Sequence, residues 1–369
     1  MTGAMGRTGP PSELQHRYAS LCTRYGLRIP ILLAPMAGAC PPPLSVAVAR
    51  AGGAGACGAL LMSPAKMASW AAAVRHATDG PFQMNLWVPD PVPQRDTEHE
   101  ARVRDFLARW GPPVPSDAGD TLPLDFASQC EALLDIRPAV ASSIMGLFPG
   151  QVIDALKKKG VAWFATVTTV DEARRAAAAG ADAIVAQGAE AGGHRGTFDA
   201  GLAEQQLIGL TALVPQVVDA VDVPVIATGG IADARGIAAA LMLGASAVQI
   251  GTGLLRCPEA GLPSAWSQAL ATAKPEDTML TRAFSGRAGR SIATEYARAA
   301  AGSTAPRPAP YPIQRALTAA MRKEAVAKDN LRSMQAWAGQ AAALAVARPA
   351  LEVVQELWSG TEQLLGYAA

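Results

Sequence analysis

Short apolar runs alternate with alanine-rich segments of helical period over most of this chain. A short apolar run bounded by Gly, Pro or Asp is typical of a strand that is buried on both faces. Eight such runs are present, at residues 29–34, 56–62, 82–87, 139–143, 162–167, 184–186, 223–227 and 247–250. Predicted helices lie between or after them, at residues 42–51, 65–76, 99–110, 125–135, 151–159, 170–179, 202–220 and 233–243.

Eight strand–helix units in one run predict an α/β fold of the (β/α)8 TIM-barrel type. The predicted barrel covers residues 28–258, a normal size for that fold. An open, doubly wound sheet is the alternative, but it rarely uses eight such units in succession. Residues 1–27 are expected to form a tail and lead-in, whose first 17 residues would be loose. Residues 259–369 are expected to form a smaller, mainly helical addition that packs on the barrel, with helices at 264–273, 295–300, 313–328 and 349–365.

Composition excludes several classes of function. The chain has 369 residues and a formal net charge of +1, so its charge does not favour binding to nucleic acid or to an anionic membrane. No apolar run approaches the roughly 18 residues of a membrane helix, and the N-terminus lacks the apolar core of a signal peptide. The five cysteines are scattered and the four histidines lie far apart, so a cytoplasmic protein without a metal site is expected.

The stretch at residues 183–198, AIVAQGAEAGGHRGTF, changes abruptly from apolar to polar and glycine-rich. In parallel sheets, ligands bind at the carboxyl ends of the strands, so this stretch predicts a binding site. His194 is the candidate catalytic residue, because a neutral imidazole can take a proton at neutral pH. Glu190 is expected to hold the loop through backbone N–H groups, and Arg195 is left open between a site residue and a surface charge.

Two polar residues at strand ends, Asn85 and Gln187, are predicted to face the barrel mouth. A carboxamide both donates and accepts hydrogen bonds, which suits the edge of a heterocycle, although capping of the local backbone is a serious alternative for Asn85. Glycine loops also follow the last two predicted strands, at residues 229–230 and 249–252. Barrels frequently bind phosphate there, because glycine lets backbone N–H groups and a helix N-terminus approach the oxygens. Tight turns that need a positive φ are the competing interpretation.

Several of these motifs together resemble the nitronate monooxygenase family, FMN-containing TIM barrels formerly grouped as 2-nitropropane dioxygenases. The resemblance runs over nearly the whole chain after residue 25, and the AQGxEAGGHRG form is its most specific element. The matching stretches are residues 29–38, 84–86, 186–196, 227–231, 249–252, 282–287 and 337–340.

The resemblance implies that FMN is the cofactor and that His194 is the catalytic residue, either as base on a nitroalkane or by positioning a nitronate. It implies oxidation of a nitronate of the propionate 3-nitronate type by O2, with a carbonyl compound and nitrite as products. The flavin carries the redox chemistry. The implied cofactor contacts are Pro35, Met36, Asn85, Gln187, Gly192, Gly193, Gly229, Gly230, Gln249, Ile250, Gly251 and Thr252.

Three other functions stay open on the sequence. The EAGGH element also occurs in flavin-dependent enoyl-acyl-carrier-protein reductases, which use NADH or NADPH. A catalytically inactive flavin-binding partner protein is the second alternative, and an oxygenase or dehydrogenase of secondary metabolism is the third. The strand-four loop at residues 142–149 matches the family only loosely, and Trp87 lies where its sequences vary, so the natural substrate is open. A homodimer is also left open.

Overall fold

The computed structural model describes residues 13–120 and 123–367. Its strands are β1 Ile31–Leu33, β2 Gly55–Gly58, β3 Phe82–Trp87, β4 Val140–Ile144, β5 Ala162–Val167, β6 Ala183–Gln187, β7 Gly193–His194, β8 Val225–Thr228, β9 Ala247–Ile250, β10 Thr278–Thr281 and β11 Gly289–Ile292. Its α-helices are α1 Glu13–Tyr25, α2 Pro42–Ala51, α3 Pro64–Ala77, α4 Thr97–Leu107, α5 Phe126–Ile136, α6 Gly150–Lys158, α7 Val170–Ala178, α8 Leu210–Val218, α9 Ala234–Met242, α10 Ser264–Thr272, α11 Glu295–Ala300, α12 Ile313–Leu317, α13 Ala319–Ala327 and α14 Ala350–Leu364.

Eight parallel strands form the central sheet, in the order β1-β9-β8-β6-β5-β4-β3-β2. Its two edge strands meet through a parallel bridge between Leu32 and Ala54, so the sheet closes on itself. The N–H of Leu33 donates to the carbonyl of Ala54 at 2.9 Å, and the N–H of Ala54 donates to Ile31 at 3.1 Å. The predicted (β/α)8 barrel is therefore confirmed.

Alternate strand residues fill the interior of the barrel. Near its amino-terminal end they are apolar and form one cluster with Leu21 and Cys22 of α1, which lies beneath the strands as a plug. Towards the carboxyl end the same alternation brings up polar side chains, such as Asn85, Thr228 and Gln249, which line a cavity. The alternation of inward-facing residues along the strands therefore fills the amino-terminal end of the barrel with apolar side chains and lines its carboxyl end with polar ones.

Three local predictions are wrong. The segment 13–17 was expected to be loose, but it belongs to α1, whose apolar residues are buried against the barrel. The helix expected at 202–220 begins only at Leu210, because residues 199–205 form turns and Gly209 stands at its N-cap. The helix expected at 313–328 is divided at Thr318, whose hydroxyl donates to the carbonyl of Phe284. Residues 1–12 of the predicted tail lie outside the described residues.

The region after residue 258 is more than a set of helices. Helix α14 packs against α2 and α9, the helices that follow the first and last-but-one barrel strands, so it covers the barrel where an eighth helix is needed. Strands β10 and β11 form an antiparallel hairpin, and β11 also pairs with the short β7. The expected helical addition therefore supplies a β-hairpin that reaches the barrel mouth.

The described residues contain neither a membrane-spanning helix nor a cluster of metal ligands. Between residues 13 and 367, apart from 121–122, the helices are too short or too polar to cross a membrane. Over the same ranges, no three His, Cys, Asp or Glu side chains are grouped as ligands of one metal ion would be.

Candidate active site

A cavity opens at the carboxyl end of the barrel strands. All of the predicted cofactor contacts line it except Ile250, whose side chain is fully buried. The carbonyl of Ile250 accepts a hydrogen bond from the N–H of Ala34, so this residue holds β1 against β9. The residues that line the cavity as predicted are Pro35, Met36, Asn85, Gln187, Gly192, Gly193, His194, Gly229, Gly230, Gln249, Gly251 and Thr252.

The position of His194 is fixed by the hairpin that follows the barrel. His194 lies in β7 and pairs with Gly289 of β11. Its Nε2 lies 2.8 Å from the hydroxyl of Ser285, which donates to the carbonyl of Arg287 at 3.1 Å. With the hydroxyl proton used in that way, Nε2–H is the donor and Nδ1 keeps a free lone pair. The imidazole also lies edge-on to Trp87 and Trp337, each with ring centroids 4.7 Å away.

The surroundings of His194 keep its imidazole neutral. The pKa of His194 is lowered from 6.5 to about 3, first by burial and then by the positive charges of Arg287, Arg315 and Arg322, in that order. A cationic imidazole would have to lose its hydration in a place that is already positive. Of these three residues, Arg315 lines the cavity, and its positive charge makes the cavity attractive to an anion.

The amide of Gln187 organises the loop that carries His194. Its Nε2 donates to the carbonyl of His194 at 3.0 Å, and its Oε1 accepts the N–H of Gly196 at 2.8 Å. Arg195 is 1% exposed and donates to the carbonyls of Gln187 at 3.0 Å and Gly188 at 2.9 Å. The surface-charge interpretation of Arg195 is therefore wrong, because its guanidinium is a buried cross-link of the loop.

Glu190 closes the other end of this loop. Both of its carboxylate oxygens accept the N–H of Leu210, at 2.9 and 3.0 Å, where α8 begins. A carboxylate at that position satisfies an N–H group that the helix cannot use itself. The prediction that Glu190 holds the loop is confirmed.

Asn85 and Gln249 each present one free amide atom to the cavity. Nδ2 of Asn85 donates to the carbonyl and the hydroxyl of Ser142, so its Oδ1 acceptor is left over. Oε1 of Gln249 accepts from Gln83 at 2.8 Å, so its Nε2 donor is left over. Neither remaining atom has a partner within residues 13–120 and 123–367. One acceptor and one donor are therefore available to a polar ligand.

The glycine loops supply unpaired backbone donors. Within the part of the chain that the structure describes, the N–H groups of Gly229, Gly230, Gly251 and Thr252 make no hydrogen bond. Gly229 and Gly230 adopt φ angles of 110° and 69°, and a Cβ on Gly229 would lie 3.0 Å from Ala191. At the start of α9, the carboxylate of Asp233 accepts the N–H of Gly236, so that N–H group is already paired. The loop amides are therefore the free donors.

Residues 337–340 cross the cavity rim in contact with Gly192. The N–H of Gly339 donates to the hydroxyl of Thr252 at 3.0 Å, and the N–H of Gln340 donates to the carbonyl of Glu190 at 2.9 Å. A Cβ on Gly192 would lie 2.5 Å from the nitrogen of Gly339. Glycine is required here because two stretches of backbone touch.

Trp87, Ser285, Arg315 and Trp337 belong to the site and were not identified as site residues from the sequence. Trp87 ends β3 two residues after Asn85, so its place at a strand end was an available signal. The others come from β-hairpin, helix and loop segments more than 80 residues beyond β7, and no local pattern connects them to the barrel.

Comparison with known proteins agrees with this geometry. The nitronate monooxygenase family profile matches residues 21–360. A nitronate monooxygenase of Paraburkholderia phytofirmans is 39% identical, with 93% of this chain and 96% of that protein aligned. One from Pseudomonas aeruginosa is also 39% identical, with 92% and 97% aligned.

Solved structures give the same result. The nitroalkane oxidase from Streptomyces ansochromogenes superposes with a TM-score of 0.85 at 35% identity, covering 94% of this chain and 99% of that one. FabK from Thermotoga maritima is more distant, with a TM-score of 0.73 at 27% identity over 95% of this chain and 99% of that one. The chain belongs to the nitronate monooxygenase family, which consists of flavin-dependent oxidoreductases.

Proposed function

We propose that this protein is an FMN-dependent nitronate monooxygenase that oxidises alkyl nitronates of the propionate 3-nitronate type with O2. The products are a carbonyl compound and nitrite. The observation that carries the proposal is that a neutral, partly buried imidazole and a set of unpaired backbone N–H groups line one cavity, beside the positive charge of Arg315.

The residues present fit a flavin mononucleotide. The unpaired N–H groups of Gly229, Gly230, Gly251 and Thr252 would hold the phosphate, since backbone donors without side chains can approach its oxygens closely. The free acceptor of Asn85 and the free donor of Gln249 would bind the ring edge. Pro35, Met36, Gly192 and Gly193 would contact the cofactor through the backbone, and Gln187 would act by holding the loop. Bound there, the flavin supplies one-electron and O2 chemistry.

His194 would bind and orient the nitronate. A group whose pKa is about 3 is a poor general base for a carbon acid at neutral pH, because efficient proton transfer needs a pKa near the working pH. Its Nε2–H is donated to Ser285, so the uncharged ring would orient the nitronate through packing contacts, and Arg315 beside it supplies the positive charge. Of the two roles expected for His194, the structure favours positioning of an already anionic substrate.

Oxygen uptake measures this activity directly. Wild-type protein is expected to consume O2 and release nitrite with propionate 3-nitronate, and to do so much more slowly with the neutral nitro acid at low pH. His194→Asn should keep bound flavin and lose most of the kcat/KM for nitronate. Absence of O2 uptake with any nitronate would leave the catalytically inactive partner protein as the better interpretation.

We also propose a cytoplasmic location and a division of the chain into three regions. All five cysteines are free and buried, which supports the expectation of a cytoplasmic protein. The division into a lead-in, a barrel of residues 28–258 and a C-terminal region is retained with one addition: we assign α14 to the barrel layer, because it packs against α2 and α9. The homodimer stays a prediction.

A further inference from the structure

A second cavity lies beside the cavity that holds His194. Its volume is about 800 Å³, and its walls are the segment after β3 and helices α5, α12 and α13. Four residues line both cavities: Leu60, Leu61, Trp87 and Arg315. The two spaces therefore adjoin along these four residues, and a group bound at the imidazole that extends past Trp87 and Arg315 would enter the second cavity.

The second cavity is mainly apolar, and most of its charged groups are already paired. Asp90 faces Arg287 at 3.3 Å. Arg95 is held by Glu100 at 2.5 Å and by Asp120 at 2.8 Å. Charges neutralised in this way leave a surface suited to a hydrocarbon chain rather than to a polar ligand.

Arg315 is the exception among these charged groups. Its guanidinium makes no hydrogen bond or ion pair within residues 13–120 and 123–367, although its side chain is partly buried on α12. A partly buried cation without a protein partner has lost part of its hydration, and an anionic ligand at the junction would pair with it. The cation stands where the cavity around His194 opens into the apolar space.

We propose that, among alkyl nitronates without a second charged group, those with an extended apolar chain are preferred: the nitronate oxygens pair with Arg315, and the chain occupies the second cavity. The proposal rests on the proposed nitronate oxidation and narrows it to a substrate class. No reaction step is added, since the second cavity supplies binding only.

A series of primary nitronates from ethylnitronate to hexylnitronate tests the proposal on the wild-type holoenzyme. Burial of each added methylene should raise kcat/KM by about threefold to fourfold until the cavity is filled. A flat or falling series, with normal O2 uptake by ethylnitronate, would overturn the proposal and leave the nitronate activity intact. No uptake with any member would contradict the proposed function itself.

A pair of variants tests whether the alkyl chain of the substrate lies in the second cavity. Ala316 on α12 lines only the second cavity, so Ala316→Phe should shorten the available space and flatten the increase of kcat/KM with chain length. Val326 on the neighbouring α13 is 51% exposed and lines neither cavity, so Val326→Phe is the matched control and should keep the wild-type slope. Equal slopes in both variants, with normal flavin content, would contradict the assignment of the chain to this cavity.

Arg315→Gln tests the binding of the nitronate group separately from the binding of its alkyl chain. Loss of the charge should raise KM for every nitronate by about ten- to hundredfold, the value of a charge-assisted hydrogen bond, and leave the increase per methylene unchanged. The KM for O2 and the flavin content should stay at their wild-type values. A variant that loses the chain-length dependence but keeps its KM for ethylnitronate would show that Arg315 shapes the cavity and does not bind the anion.

Discussion

Replacing Gly192 by alanine perturbs the contact between the barrel mouth and residues 337–340. The added Cβ would lie 2.5 Å from the nitrogen of Gly339, 2.7 Å from the carbonyl carbon of Ala338 and 2.8 Å from the hydroxyl of Thr252. Two of these atoms are backbone, so the whole segment has to move. Overpacking of this kind costs about 1–3 kcal/mol, and loss of the Gly339–Thr252 hydrogen bond adds about 1 kcal/mol.

A loss of about 2–4 kcal/mol should lower the thermal midpoint by roughly 3–5 °C in a protein of this length, given about 2.1 cal/mol/K of unfolding entropy per residue. Displacement of Thr252 should also weaken flavin binding. Scanning calorimetry and the flavin content of the purified variant measure the two effects. Gly150→Ala is the control, because a Cβ there meets nothing within 4 Å. A Gly192→Ala protein with the wild-type thermal midpoint and the wild-type flavin content would refute the proposed effect of the contact between Gly192 and residues 337–340.

Three further predictions concern the loops and the imidazole. Gly230→Val should weaken flavin binding about tenfold or more in an equilibrium titration, whereas Gly261→Val, which has a similar φ of 62° outside the cavity, should not; equal losses would indicate general strain. Folding lowers the pKa of His194 from 6.5 to about 3, so between these values the unfolded chain binds a proton that the folded chain does not bind. The free energy of unfolding of flavin-free protein should therefore fall by about 1.4 kcal/mol for each unit by which the pH drops between pH 6 and 4. In urea titrations, His194→Gln should remove this contribution to the pH dependence. Glu190→Ala should lower the free energy of unfolding by about 1–3 kcal/mol, because it leaves the N–H of Leu210 in the first turn of α8 without a partner. The exposed Glu352→Ala should lower it by less than about 0.5 kcal/mol. Equal unfolding midpoints of the two variants would contradict the role of Glu190.

Much of the barrel could be predicted because its signals are local. The strands at 82–87, 162–167 and 247–250 occur as predicted, since each is an apolar run between breakers. The helix expected at 202–220 begins too early because its first eight residues have helical composition, yet they are held as turns before Gly209. The role of α14 in the barrel could not be predicted, because packing against α2 and α9 depends on contacts between distant segments.

The candidate site also contains some residues that could be predicted from the sequence and others that could not. Residues at strand ends could be placed, because the carboxyl ends of parallel strands meet at one mouth. Ile250 lies one step of the strand alternation beyond Gln249, so its side chain turns into the core. Ser285, Arg315 and Trp337 could not be placed, because a hairpin, a short helix and a loop bring them to His194.

Anaerobic titration of the purified, flavin-loaded protein tests the central claim most directly. Propionate 3-nitronate is expected to change the flavin absorption spectrum rapidly, whereas NADH and NADPH should leave it nearly unchanged, and cofactor released by heat should be FMN. Rapid bleaching by NADH or NADPH, with no response to nitronate, would contradict the account and favour the enoyl-acyl-carrier-protein reductase.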